Sequence, residues 1–233
     1  MKIDECIGGN IRKYRTAYNM TLKELAERIH KSISTVSKYE KGTISLDMPT
    51  FAEIARIFQV SPAMLLQSAD ELPDINNTYV QSAEVLYMYT YDSPKKCIVQ
   101  SIIERYPSVE QNHAYKVNLF NDVHDTKNPG NCGGLYTGDC TKKGFIETYI
   151  LHNQIAELEY VLISCVDNLV NPYQQLGLIS GLSNYTMFPV TFKTIISSIE
   201  ITNKDVLEEE LQFSKDDFKA MKRNQCLTIL NSR

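Results

Sequence analysis

The sequence predicts an α+β chain: an all-α head over residues 1–68, a connector over 69–78 and a mainly antiparallel-β body over 79–233 with C-terminal helices. Three observations carry that prediction. Apolar residues between positions 7 and 66 recur at helical spacing in short runs, each closed by a capping or turn residue. From Val85 onward the alternation has a period of two, and no regular strand–helix alternation follows. An antiparallel sheet or a partly closed barrel is therefore expected rather than a doubly wound fold. Helical spacing then returns over Asn203 to Leu211 and Ser214 to Arg223, where Ser214 and Asp217 form a cap.

At 233 residues the chain is long enough for two domains of ordinary size. Hydrophobic residues make up 43% and charged residues 22%, a globular rather than a disordered balance. No run of about 18 apolar residues occurs, so no membrane partner is expected. Met1-Lys2-Ile3-Asp4-Glu5 has no apolar signal-peptide core, and six scattered cysteines suit a reducing cytoplasm, where the chain is expected to reside. On that reading the glycosylation-like triplets Asn76-Asn77-Thr78 and Asn184-Tyr185-Thr186 are chance. The net charge of −4 divides unevenly. Residues 1–68 hold ten Lys/Arg against seven Asp/Glu and the remainder fourteen against twenty-one, giving +3 and −7. A basic head on an acidic body draws a polyanion to one end only.

The first helix is expected from Cys6 to Tyr18, with Ile7, Ile11, Tyr14 and Tyr18 on one face and Asn19 as its stop. Thr21-Leu22-Lys23-Glu24 is a capping box for the second helix, which turns Leu25, Ala26 and Ile29 toward the core. Ser32 caps the third, with Val36 and Tyr39 inward and Ile33, Ser34, Ser37 and Lys38 outward. Gly42 ends it, as a residue free to take positive φ. Pro49 lies in the first turn of the next helix, which carries Phe51, Ile54, Ala55 and Phe58 inward. Ser61-Pro62 opens a last short helix through Leu66. Helices two and three flank one tight turn, the layout of a helix-turn-helix.

Ile7-Gly8, Ile11-Arg12, Arg15, Thr21, Leu25-Ala26, Ser32, the run Ser34 to Gly42 and Val60-Ser61 through Leu65-Leu66 carry a specific likeness. In register and without gaps, they resemble the Cro and lambda-repressor type of helix-turn-helix, also called the xenobiotic-response-element family. The resemblance implies a compact five-helix, lambda-repressor-like domain that binds double-stranded DNA at a pseudo-palindromic operator as a homodimer. By position, Ile33, Ser34 and Lys38 fall where family members read bases. Ile33 suits a thymine methyl, Lys38 a guanine and Ser34 either kind of base. Ser37 and Thr43 fall where phosphate or base contacts occur, beside the cap Ser32. Arg15 and Glu40 fall where the family has a buried ion pair joining the first helix to the recognition helix. One departure stands out. The family commonly has Gln at the start of the second helix, where it touches a phosphate; this chain has Leu22 after Thr21. Backbone amides at a helix N-terminus can still hold a phosphate. Binding is therefore expected to survive, with weaker orientation or an altered site preference.

The connector Ser68 to Thr78 is acidic and contains Pro73, Asn76 and Asn77. In the body, Val85 to Tyr91 and Cys97 to Ile103, joined by Asp92-Ser93-Pro94-Lys95-Lys96, form a hairpin pattern. Further strands are expected over Ala114–Phe120, Phe145–Leu151, Glu157–Val166, Leu176–Leu182 and Pro189–Ser198. Tyr87, Tyr89 and Tyr91 share a face and are the candidate effector pocket. An aromatic row suits a cavity closing over an apolar or cationic molecule, although a sheet packed on its own core is the commoner arrangement. The stretch Asn128 to Cys140 holds four glycines and two cysteines and is read as a flexible loop. Its cysteine spacing does not match a zinc site even with His113 and His124 nearby, so no metal is expected. Gly130 to Gly134 lacks the Lys-Ser/Thr of a phosphate-binding loop. Gly177 and Gly181 mark a bend, a close backbone approach or a pocket border.

No H-E-x-x-H, G-x-S-x-G or P-loop occurs, so neither catalytic residues nor a cofactor are expected. Some relatives of the head carry a self-cleaving Ser-Lys peptidase. Here Ser183 and Lys193 are available as such a pair, but nothing around them resembles it and the connector has no Ala-Gly cleavage point. The expectation is a transcriptional regulator, a repressor, whose body dimerises and senses a small molecule or peptide. The alternative is a body that docks an antagonist protein and has no small-molecule site. A buried aromatic cavity favours the first; an exposed apolar patch along residues 203–230 favours the second.

Overall fold

The computed structural model describes residues 3–60, 62–66, 83–108, 113–156, 159–183 and 186–228. The expected connector over 69–78, Ser61, Glu157 and the first two residues of the Asn184-Tyr185-Thr186 triplet lie outside them. Two compact units form, Met1–Ala83 with His124–Gly133, and Glu84–Val123 with Gly134–Arg233.

The first unit contains α1 (Ile3–Ala17), α2 (Leu22–Arg28), α3 (Ile33–Glu40), α4 (Met48–Ile57) and α5 (Pro62–Leu66). Helix α1 begins three residues before the expected Cys6. Asp4 and Glu5 occupy its first turn, where the helix dipole favours acids. Ile11, Tyr14, Leu25, Val36, Ile54, Phe58 and Leu65 are fully buried and make the core. Four helices end in the same way. Asn19, His30, Gly42 and Gln59 take left-handed backbone, at φ of 52°, 53°, 64° and 51°. The amides that follow, of Met20, Lys31, Thr43 and Val60, donate back to Arg15, Ala26, Lys38 and Ala55 carbonyls at 2.9–3.0 Å. These closures satisfy helix-end carbonyls and set short, defined angles between helices.

The second unit is a closed barrel of eight antiparallel strands in sequence order. They are β1 (Glu84–Asp92), β2 (Cys97–Pro107), β3 (Ala114–Val123), β4 (Cys132–Lys143), β5 (Ile146–Asn153), β6 (Tyr160–Asp167), β7 (Gln174–Leu182) and β8 (Pro189–Ser197). The barrel closes where Tyr87, Met88 and Tyr89 pair with Ser197, Ile196 and Ile195. Two helices follow, α6 (Lys204–Leu211) and α7 (Lys215–Asn224), capped by Asn203 and by Ser214 with Asp217. No helix among the described residues is long and apolar enough to cross a membrane.

Strand β4 corrects the sequence reading, which placed a flexible loop over Asn128 to Cys140. Glycines hide its alternation, yet Leu135, Tyr136 and Cys140 are buried. Gly138 faces Leu151 of β5. A Cβ there would overlap the Ile150 carbonyl oxygen and stand 3.0 Å from the Leu151 Cα, so the glycine permits the strand approach.

The barrel interior combines apolar residues with buried charge. Leu86, Met88, Ile103, Leu119, Tyr149 and Ile163 are among those packed inside. Toward one end, Arg105 donates from Nε and Nη2 to Glu84 at 2.7 and 2.9 Å and from Nη1 to Glu147 Oε2 at 2.8 Å. The Glu147 side chain is 0% exposed, and Lys142 Nζ stands 3.0 Å from its other oxygen. Burial pushes the Glu147 carboxyl up, but Arg105, the Tyr149 hydroxyl and Lys142 together outweigh it and hold the group below the usual carboxylate value. Burial, then the Glu147 charge, pushes the Cys140 thiol up to about 12.

Candidate nucleic-acid interface

The interface is built on α3. Ser32 caps it by accepting from the Thr35 amide at 3.1 Å, and the Ser32 hydroxyl lies 2.8 Å from those of Ser34 and Thr35. Burying Val36 and Tyr39 turns the opposite face outward. Ile33 is 49% exposed although apolar. Ser34 and Lys38 are exposed and Ser37 is half-buried. Thr43, just beyond the helix, is exposed and its hydroxyl donates to the Lys38 carbonyl at 3.2 Å. Thr21 caps α2: its hydroxyl oxygen accepts from the Glu24 amide at 3.2 Å, and the Glu24 carboxylate accepts from the Thr21 amide at 2.7 Å. Leu22 is half-buried at the first position of α2.

Two contacts fix α3 against α1. Arg15 forks onto the Glu40 carboxylate from Nε and Nη2, the latter at 3.0 Å, while Nη1 donates to the Met20 carbonyl at 2.8 Å. The two side chains are 13% and 7% exposed, so the pair is largely withdrawn from water. The second contact is Gly8, where a Cβ would overlap the Tyr39 carbonyl oxygen and come within 2.8 Å of the Glu40 oxygen. Gly8→Ala is expected to destabilise the head. Overpacking costs about 1–3 kcal/mol, against at most about 1 kcal/mol gained in helix propensity. Faster amide exchange across α1 and α3 would report it, and unchanged exchange would refute it.

The structure thus brings Ile33, Ser34, Ser37 and Lys38 onto one helix and sets Thr43 beyond its end, while Thr21 and Leu22 begin the preceding helix. The sequence reading passed over Lys31 and Lys41. Both are exposed and bracket α3, next to its N-cap and as its C-cap. Their only sequence signal is adjacency to capping residues.

The tyrosine row is divided. Leu86 and Met88 face the barrel interior, so Tyr87, Tyr89 and Tyr91 lie on the outer face of β1. Tyr89 is buried there with Ile195, Leu207 and Leu211, beneath α6, and its hydroxyl accepts from the Ile201 amide at 2.8 Å. Tyr87 packs against the same cluster, and the Tyr91 hydroxyl donates to Glu208 at 3.2 Å. The residues offered as an effector pocket thus pack, at Tyr87 and Tyr89, against the cluster beneath α6. Tyr91 alone also borders a cavity of about 240 Å3 at the barrel end capped by the β1–β2 turn. Tyr136, Glu159, Val161, Ile179, Gly181 and Phe192 line it among others. Glu159 accepts from the Tyr136 hydroxyl at 2.9 Å and from Asn153 Nδ2 at 2.6 Å. Burial first, and Glu159 next, push the Tyr136 hydroxyl up, so it stays a donor. On the outside, Lys193 is held by Asp217 at 2.6 Å and the Gln212 carbonyl at 3.2 Å. Val206, Phe218 and Met221 of α6 and α7 expose apolar surface. No group of three or more His, Cys, Asp or Glu among the described residues is placed to hold a metal.

Residues 11–65 match the helix-turn-helix family model. No curated protein matches the chain. Among solved structures, the clp gene regulator ClgR from Corynebacterium glutamicum is 27% identical over 28% of this chain and 86% of its own, with a TM-score of 0.27. HppE, as its Co(II) form with Tris buffer, is 9% identical over 84% of this chain and 99% of its own, with a TM-score of 0.29. Streptomyces albus HEPD with substrate and Fe(II) is 11% identical over 84% of this chain and 38% of its own, with a TM-score of 0.26. Superpositions this loose establish no shared fold.

Proposed function

We propose, from the Cro/lambda-repressor-type helix-turn-helix that the N-terminal region carries, that this chain is a sequence-specific transcriptional repressor whose body pairs two copies and responds to a small molecule. The observation that carries the reading is the outward face of α3, where Ile33, Ser34 and Lys38 are exposed while Val36 and Tyr39 are buried, the Ser34 hydroxyl lying 2.8 Å from that of Ser32. Such a helix offers an apolar group, a hydroxyl and an ammonium to the major groove. Lys41 adds positive charge at its C-terminal end for the phosphates, while Lys31 at the other end stands 3.6 Å from Asp47 and would exchange that partner for a phosphate.

Pairing is supported by the outer face of β5 and β6. Ile150 lies opposite Leu162 there, with Tyr160 on the same face of β6, and all three are exposed. A second copy covering that face would bury apolar surface and present two recognition helices to two half-sites. An effector would act by binding one geometry of the pair more tightly than another. The body senses rather than catalyses: the Cys140 thiol is buried and held protonated, and Lys193 is engaged by Asp217. The docking of an antagonist protein is a second reading, favoured by exposed Val206, Phe218 and Met221.

The test is titration onto labelled DNA from upstream of the chain's own gene at two salt concentrations, against scrambled DNA. Preferential, salt-sensitive binding is expected. Ser34→Glu with Lys38→Ala should weaken specific binding by about 100-fold, on the order of 1–3 kcal/mol for each lost or repelled base contact, without altering the melting temperature. Equal binding by this variant would place the DNA on another surface.

A further inference from the structure

Residues His124–Gly133, the connection from β3 to β4 and the first two residues of β4, belong with the helices of the first unit. The connection is closed on itself. The Asn128 amide donates to the Asp125 carbonyl and the Asn131 amide to the Asn128 carbonyl, both at 3.0 Å. The Lys127 amide donates to the Asp125 carboxylate at the same distance. Such bonds set the shape of a loop before it meets anything else. Gly130 is its buried residue and lies against α1. A Cβ there would stand 2.6 Å from the Thr16 hydroxyl oxygen, 2.7 Å from the Lys13 carbonyl oxygen and 3.1 Å from the Lys13 Cα. Its φ lies outside the left-handed region, so the glycine is required by the close approach and not by its own conformation. Lys13 and Thr16 flank Arg15, whose fork on Glu40 fixes α3.

The strands that supply this connection border the barrel cavity, through Leu119 and Asn121 of β3 and Tyr136 of β4. Just past Asn121, Asp122 takes left-handed backbone at φ 54°. Its amide donates to the Ser101 hydroxyl at 3.2 Å, and that hydroxyl donates to the Asn121 side chain at 3.1 Å. A non-glycine residue in that state is uncommon and marks a chain direction imposed by its surroundings.

We propose that the β3–β4 connection is the link through which a molecule in the barrel cavity and DNA on α3 act on each other. A molecule in the cavity displaces Asn121 and Tyr136, and the strand ends they occupy carry a preformed loop with no slack against α1. Packed backbone does not deform smoothly, so a shift of Gly130 moves α1 rather than being absorbed. From α1 it passes to α3 through the Arg15–Glu40 fork and the Gly8 contact, a continuous chain of packed groups. The influence is equal in both directions. This link rests on the reading of the chain as a regulator and names the route by which its body acts.

The test is amide hydrogen exchange on the full chain, with and without duplex DNA from upstream of its own gene. It compares the unmodified chain, Gly130→Val and the loop control Lys127→Ala. Without DNA, Gly130→Val should speed exchange in the C-terminal half of α1 about 10-fold, the scale of a misfitted group in a packed contact. Lys127→Ala, at an exposed position, should leave it unchanged. With DNA, the unmodified chain and Lys127→Ala should gain protection in β3 and β4 as well as in α1 to α3. Gly130→Val should gain it in the helices alone. DNA that protects the helices of the unmodified chain and leaves β3 and β4 unchanged would overturn the proposal, and that comparison needs no variant to fold. Exchange in Gly130→Val identical to that of the unmodified chain would also overturn it. DNA that protects no helix refutes the regulator reading; the response of α1 to Gly130→Val without DNA then decides whether the connection clamps the head.

Discussion

Glu40→Ala should unfold the head's recognition surface before it changes any contact to DNA. Glu40 closes α3, where an acid is disfavoured by the helix dipole, so its place is justified by Arg15 rather than by the helix. Removing it leaves a guanidinium in a site only 13% exposed, with the Met20 carbonyl as the acceptor left to it among the described residues. A buried charge abandoned by its partner costs about 3–5 kcal/mol, a large share of the 5–15 kcal/mol that a typical domain has in all. Amide exchange over α1 to α5 should rise sharply and operator binding should fall with it, while exchange in the barrel strands stays as it was. The double variant Arg15→Met, Glu40→Leu removes both charges and should recover much of the loss, because apolar replacement of a buried pair is often neutral. Wild-type protection in Glu40→Ala would show that the fork contributes nothing to the fold.

The second large effect lies in the barrel. Arg105→Met strips Glu147 of its closest cation and leaves it inside the barrel with Lys142 and the Tyr149 hydroxyl. A loss of about 3–5 kcal/mol is expected, and the pH dependence should change sign. In the unmodified chain the folded carboxyl sits below its unfolded value, so its stabilisation is complete above about pH 4.3 and disappears as pH falls through the folded value. In Arg105→Met burial dominates and the folded value rises above the unfolded one. The variant is then favoured at low pH and loses stability as pH climbs through the raised value. Thermal melts of the two proteins between about pH 3 and 7 make the comparison. Parallel pH profiles would mean that Lys142, not Arg105, keeps Glu147 ionised.

Local chemistry made the head legible. Thr21 with Glu24, Ser32 and Gly42 act within a few residues, and each does in the fold what its spacing implies. The remaining helix closures use His30 and Gln59 in left-handed backbone, which no residue preference announces. In the body, alternation marks seven strands but cannot say which of the two faces is inside. Tyr87 and Tyr89 look like a pocket wall until α6, more than a hundred residues later, covers them. The eighth strand, β4, is obscured because Gly134 and Gly138 stand where side chains would show the alternation. Arg105 and Glu147 illustrate the widest gap. Forty-two residues separate them, each reads locally as a solvated charge, and only barrel closure makes them partners.

Closure of the barrel also restricts how this body can meet other proteins. Each strand has a hydrogen-bonded neighbour on both sides, from β1 round to β8 and back. An open sheet can recruit a stranger by lending it a row of bare amides and carbonyls, a mode that tolerates almost any sequence. A ring has no such row to lend. Along those ladders an association must be written in side chains, one complementary shape and charge at a time. Its partners can therefore be gained or lost through single surface substitutions, without touching the fold beneath.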